Sequence, residues 1–209
     1  MSRHGVVYRE GVPRLWNATI DEHRRTVQAA ILDTTAALVA EHGLAAVTMS
    51  QIAVGAGIGR ATLYKYFPDV ESIVVAWHER LVGEHLAELT RVAAGTDEPG
   101  ERLRVVLSTL AELSKGGHEP GAGRAGHGPD LAVPLHRADH VHQARHQLHA
   151  LLTDVIRAAA DAGSARVDIP PRELAVFCLH ALGAARELPT GRAARGRLVA
   201  LTLAALQPR

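Results

Sequence analysis

Residues 48–67 read "TMSQIAVGAGIGRATLYKYF", and the reading of this stretch decides the fold. "TMSQ" has the spacing of a capping box: the Thr48 hydroxyl can accept from the Gln51 amide while the Gln51 side chain reaches back. A short helix to about Ala56 follows. Gly57 and Ile58 form a tight turn, Gly59 can serve as the next N-cap, and "RATLYKYF" continues as another short helix until Pro68 forbids extension. Two short helices around a glycine turn are a helix-turn-helix candidate. Ile52, Ala53, Ala56, Ile58 and Leu63 would form the small core beneath it.

Upstream, the sequence turns helical from Asp21, with Val27, Ile31, Thr34 and Leu38 recurring on one face until Gly43 closes the helix in a left-handed conformation. Downstream, Asp69 can cap a long helix to about Ala94 whose inner face carries Val70, Ile73, Val74, Trp77 and Leu81. "GTDEPG" at 95–100 breaks it. The next helix holds Leu103, Val106, Leu107 and Leu110 inward and ends at Gly116. Residues 116–130 contain six glycines and two prolines and are expected to be the most mobile segment. A short piece at Leu131 to Ala138, a helix from Asp139 to about Ala162, and two last helices near 172–186 and 191–206 complete the chain. The last pair, parted by Leu188, Pro189 and Thr190, is apolar around much of its circumference through Leu174, Phe177, Leu182, Leu198, Leu201 and Leu206. Such helices are buried within the domain or against a second subunit.

Composition agrees with an all-α fold of about nine helices. Of 209 residues 47% are apolar but only 3% are Phe, Tyr or Trp, so the core is aliphatic and helix-forming. Cys178 is the single cysteine, which rules out an internal disulfide and makes the cytoplasm the expected compartment. The first twenty residues lack a signal-peptide core and no later apolar run approaches about 18 residues, so no membrane span is expected. Residues 1–67 carry seven Lys+Arg against five Asp+Glu, and the remainder sixteen against seventeen. So mild an asymmetry fits a solvated basic tail as well as a nucleic-acid partner.

The second short helix carries what recognition of DNA requires. It can enter a major groove about 12 Å wide, presenting Arg60 at one end and Tyr64, Lys65 and Tyr66 at the other. Thr48 offers a hydroxyl and helix-end amides to a phosphate oxygen. In this composition the segment resembles the DNA-binding head of the tetracycline-repressor (TetR) family of bacterial transcription regulators. The likeness rests on Glu41, His42 and Gly43, then Thr48, Ile52, Ala53, Ala56, Gly57, Thr62, Leu63, Tyr64, Tyr66 and Phe67, and extends over residues 26–82. Two departures matter: Gly59 stands where the family usually has Ser, and Val70 follows Asp69 where Lys is common. The second removes a phosphate contact that Arg3, Arg9, Arg14, Arg24 or Arg25 would have to replace.

The resemblance implies a flexible basic arm at 1–20, a helix-turn-helix DNA-binding domain at 21–68, and a helical ligand-binding and dimerisation bundle at 69–209. It implies Arg60 and Lys65 at base edges, with Thr48, Thr62, Tyr64 and Tyr66 on the backbone. Arg can pair bidentately with guanine, and tyrosine hydroxyls reach phosphates. The competing role for Tyr64 or Tyr66 is packing in the small core. Family membership further implies a homodimer through the last two helices, a palindromic double-stranded operator, and a repressor released by a small-molecule effector. Residues 163–175, "GSARVDIPPRELA", look like the link into the family's eighth helix. Trp77, His85 and Ser114 are the nominated effector contacts, with ordinary core packing as the alternative for each.

No cofactor is expected, and no phosphate loop, nucleophile elbow or framed carboxylate pair suggests catalysis. Cys178 sits in an apolar helix as an inert thiol. The alternative from another class is a metal-responsive regulator or metal-binding enzyme built on the histidines of 118–149. His142, His146 and His149 share a sector of about 60°, and His142 with His146 has the i, i+4 spacing that grips one ion. His136 and His140 belong to another sector and Asp154 points away, so further ligands would have to come from His118, His127 or another helix. No metal ligand is assigned.

Overall fold

The structure, a computed structural model, describes residues 13–116, 139–188 and 191–208. Among these, the regular elements are eight α-helices and two short 3₁₀ turns: α1 (Pro13–His42), α2 (Met49–Gly55), α3 (Arg60–Tyr66), α4 (Val70–Ala94), α5 (Pro99–Gly116), α6 (Asp139–Asp161), α7 (Pro171–Gly183) and α8 (Arg192–Leu206). The chain divides into two compact units between Trp77 and His78, inside α4. The piece expected at Leu131 to Ala138 and the glycine-rich segment after Gly116 lie outside the described residues.

The first unit, the head, has its core in Ile31, Leu32, Thr35 and Val39 of α1, Ile52 and Ala53 of α2, Leu63 of α3, Phe67, and Ile73, Val74 and Trp77 of α4. Two features of α1 depart from the expectation. The helix begins at Pro13 instead of Asp21, taking in residues 13–20 that were assigned to the arm. Proline at a first helical position gives up no needed amide and presets φ, so Pro13 starts the helix and no breaker interrupts it before Asp21. The buried face is also rotated: Val27, Thr34 and Leu38 are only half-buried. Thr35 takes the inward place because its hydroxyl donates to the Ile31 carbonyl at 2.8 Å, which removes the cost of burying it.

In the second unit, the body, Leu103, Val106, Leu107 and Leu110 of α5 pack with Leu152, Val155, Ile156 and Ala159 of α6, Leu174, Ala175, Cys178 and Leu182 of α7, and Val199 and Leu206 of α8. The Glu98 carboxylate caps α5, accepting from Gly100 N at 2.8 Å and from the Glu101 amide. Gly163, at φ 74°, closes α6. Arg166 then fastens the link to α7: its guanidinium pairs with both Asp168 oxygens at 2.7 and 2.6 Å and donates to the Ala205 carbonyl at 3.1 Å. The Arg166 amide adds a bond to the Leu206 carbonyl at 2.8 Å, anchoring the end of α8. Val176, Phe177 and Leu201 remain exposed, Leu201 at 70%.

Candidate DNA-binding site

The site is built on α3, and the order of its supports explains its shape. Thr48 and Gln51 form the expected capping box: Gln51 N donates to Thr48 Oγ1 at 3.3 Å and Thr48 N to Gln51 Oε1 at 2.9 Å. The Thr48 hydroxyl also donates to Gln51 Oε1 at 2.7 Å, so its hydrogen is committed within the box. Gly57, at φ 67°, supplies the left-handed residue of the turn, and Ile58 N bonds back to the Ala53 carbonyl at 3.0 Å. Gly59 caps α3 through its carbonyl alone, accepting from Thr62 N at 2.9 Å and Leu63 N at 3.0 Å.

Leu63, fully buried, pins α3 to the head. Helical geometry then decides what faces outward: Arg60, Ala61, Tyr64 and Lys65 fall within about 140° of arc. All four are exposed, Tyr64 at 48%, so its ring is not a core residue. Tyr66 and Thr62 are half-buried at the flanks of this face. Among the described residues, no acidic side chain on α3 neutralises Arg60 or Lys65. The face therefore offers two cations and a phenol from one rigid helix, which suits groove edges and phosphates together. Of the expected small core, Ile52, Ala53 and Leu63 are buried while Ala56 and Ile58 are half-buried. At the start of α4, Asp69 Oδ1 accepts from Ser72 N at 2.8 Å, as its capping role requires. Arg24 and Arg25 are exposed on α1, and Arg3 and Arg9 lie outside the described residues.

Residues 31–76 match the family model for bacterial regulatory proteins, tetR family. The head of this chain is therefore similar to the DNA-binding head of the tetR family. An HTH-type transcriptional regulator of Mycobacterium tuberculosis (strain ATCC 25618 / H37Rv) is 39% identical over 92 residues, 43% of this chain and 46% of the relative. The chain thus spans about half the length of the curated relatives it matches. A TetR/AcrR regulator from Thermobifida fusca superposes with a TM-score of 0.69 at 19% identity, covering 84% of this chain and 96% of that one. FadR from Bacillus subtilis, solved with stearoyl-CoA, gives 0.65 at 16% identity, covering 86% and 99%. These two show the fold alone, a helical head continued by a helical bundle.

The nominated effector residues fall in different places. Trp77 is buried in the head. His85 and Ser114 belong to the body and are half-buried; burial holds His85 below its ordinary pKa against the opposing Glu84 carboxylate, and the Ser114 hydroxyl donates to the Leu110 carbonyl at 2.8 Å. None of the three lines the cleft between α4, α5 and α8, which holds Arg104, Arg192 and Arg195 instead. Sequence reading missed these arginines because arginine on a helix reads as a solvated residue.

The metal-responsive alternative finds no support. His142 and His146 are exposed and His149 half-buried, and among the described residues no three His, Cys, Asp or Glu side chains gather around a point where an ion could sit. Asp154 is bonded by Arg157 Nη1 at 2.6 Å. His118, His127 and His136 lie outside the described residues. Cys178 is fully buried, and burial pushes its thiol up to about 12. Among the described residues no helix is long and apolar enough to cross a membrane.

Proposed function

We propose that the protein is a DNA-binding transcriptional regulator, a repressor that leaves a palindromic operator when a small-molecule effector binds. The carrying observation is the α3 face: Arg60, Tyr64 and Lys65 project together from a helix whose opposite side, Leu63, is locked in the head core. In this reading Arg60 and Lys65 contact base edges while Thr48, Thr62, Tyr64 and Tyr66 contact the backbone. Thr48 does so as the rigid cap of α2, because its hydroxyl hydrogen already serves Gln51. The DNA-binding domain is 21–68, preceded by the basic arm, and 69–209 binds ligand and dimerises.

The regulator acts as a homodimer through α7 and α8. Val176 and Phe177 on α7 and Leu201 on α8 are exposed large apolar side chains of the body, and a second copy would remove them from water. His85 and Ser114 are candidate effector contacts within the body, and Trp77 a separate candidate in the head. FadR, the structural neighbour with stearoyl-CoA, illustrates a small-molecule ligand on this fold.

Selection of randomised duplex DNA by the purified protein tests the reading. A palindromic enriched site is expected, with half-sites about one helical turn apart. Arg60→Ala and Lys65→Ala should each relax preference at particular positions, by about 1 to 3 kcal/mol for a bidentate contact. Tyr64→Phe should weaken binding evenly across sequences. No enriched sequence, or unchanged preferences in both charge variants, refutes it.

A further inference from the structure

The body contains a cleft of 660 Å³ between α4, α5 and α8, within the roughly 300 to 1,000 Å³ of small-molecule sites. Arg195 stands in its wall with only 9% of its side chain exposed. A guanidinium that deep is costly unless its charge is paired and its N–H groups are bonded. Neither condition is fully met. Its nearest carboxylate oxygen, Glu112 Oε1, is 3.2 Å from Nε, yet Nε is buried without a hydrogen bond because that oxygen lies off the donor direction. Glu112 is itself 52% exposed, so water screens the attraction and the carboxylate can turn outward.

The remaining charges of the cleft leave a net cation. Glu88 is held by Arg91 through bonds of 2.8 and 2.6 Å, and Arg104 is paired with Glu101 on its own helix. That leaves Arg192 and Arg195 facing Glu112 alone. Beside them Val199 and Leu203 make an apolar wall. On α8, Arg192, Arg195, Val199 and Leu203 lie within about 80° of arc, and Leu201 lies on the far side of the helix. A dimer that covers Leu201 therefore leaves this face of α8 open.

We infer that the cleft binds a small amphipathic carboxylate, whose head replaces Glu112 as the counter-ion of Arg195, with Arg192 closing on its rim, while its apolar body lies on Val199 and Leu203. The fork of N–H donors suits a carboxylate, and the single uncompensated positive charge suits a monoanion. Glu112 acts as an internal competitor that gives way to the ligand. The site goes beyond the DNA-binding reading and does not require it, because neither His85 nor Ser114 lines it.

Calorimetric titration of the full chain with octanoate, and with octanol as the neutral control, tests the proposal at millimolar concentrations. Octanoate is expected to bind about tenfold more tightly than octanol or better. Arg195→Ala opens a hole in the buried stripe of α8 and can fail to fold, so two variants at exposed positions carry the test. Glu112→Gln, which removes the competitor, should tighten octanoate several-fold without changing octanol, and Arg192→Ala should weaken octanoate several-fold. Octanoate binding no tighter than octanol overturns the proposal, and so does a Glu112→Gln affinity that is unchanged or lower.

Discussion

Gly55 ends α2 beside Thr34 of α1, and a methyl group there should expose how tightly the head is set. A Cβ at position 55 would stand 2.6 Å from Thr34 Cγ2, whereas carbon atoms in contact need about 3.5 Å or more. Threonine is stiff at χ1, so the methyl cannot swing away cheaply. Helix propensity alone would make Gly55→Ala stabilising by up to about 1 kcal/mol. Overpacking of this kind costs about 1 to 3 kcal/mol, so the net expectation is a loss of about 1 kcal/mol. Thr34→Ser deletes the offending methyl, and the other Thr34 atoms, at 3.9 Å, are in ordinary contact. In that background Gly55→Ala should regain its propensity benefit, giving a coupling of about 2 kcal/mol. Gly83→Ala in α4, where a Cβ meets nothing within 4 Å, is the control and should stabilise by about 0.5 to 1 kcal/mol.

The two units need not unfold together, so urea titration should be read alongside native-state hydrogen exchange of the α2 and α3 amides. If Gly55→Ala stabilises the wild-type head as much as it does the Thr34→Ser head, the close approach is not a constraint and the reasoning fails. If it holds, the same variant should lose operator affinity, because pushing α2 from α1 moves the support on which α3 rests.

Two further outcomes are expected. Cys178, with its thiol pushed up to about 12 by burial, should resist iodoacetamide in the folded protein even at about pH 9 and react once the body is unfolded; modification of native protein at the unfolded rate would contradict its burial. His85 has its folded pKa depressed below the ordinary 6.5, so its contribution is present above that value and is lost as pH falls below it. Stability of the body should therefore fall between neutral pH and about 5.5 less steeply in His85→Gln than in the wild type. Equal slopes in urea titrations would show that His85 is not the group responsible.

The head was legible because its determinants are local. The left-handed Gly43, the Thr48–Gln51 box, the turn at Gly57 and Ile58, the stop at Pro68 and the Asp69 cap are each settled within a few residues of chain, and each appears as read. What went astray there depended on tertiary packing: the phase of α1 turned on whether Thr34 or Thr35 faced inward, and only contact with the rest of the core decides that. The body was harder for the same reason. Arg166 reaches from the link before α7 to the Ala205 carbonyl, 39 residues on, a bond no periodicity announces.

The last helix shows what such a reading overlooks. Its buried stripe is Arg195, Val199, Thr202 and Leu206, at i, i+4, i+7 and i+11, so half the inward positions are polar and the amphipathic signal is faint. The two polar members solve burial differently. Thr202 is self-sufficient, since its hydroxyl donates to the Leu198 carbonyl at 2.9 Å on its own helix. Arg195 cannot be satisfied that way, because a guanidinium offers only donors and its charge needs an opposite charge from another element. Glu112 supplies that charge from α5 without completing the hydrogen bond. A fold that needed Arg195 only for packing would be served as well by leucine at this position, which would continue the apolar stripe at no electrostatic cost. An arginine kept there, beside an open cleft with an apolar wall and a displaceable carboxylate, is better accounted for by an anion that comes and goes.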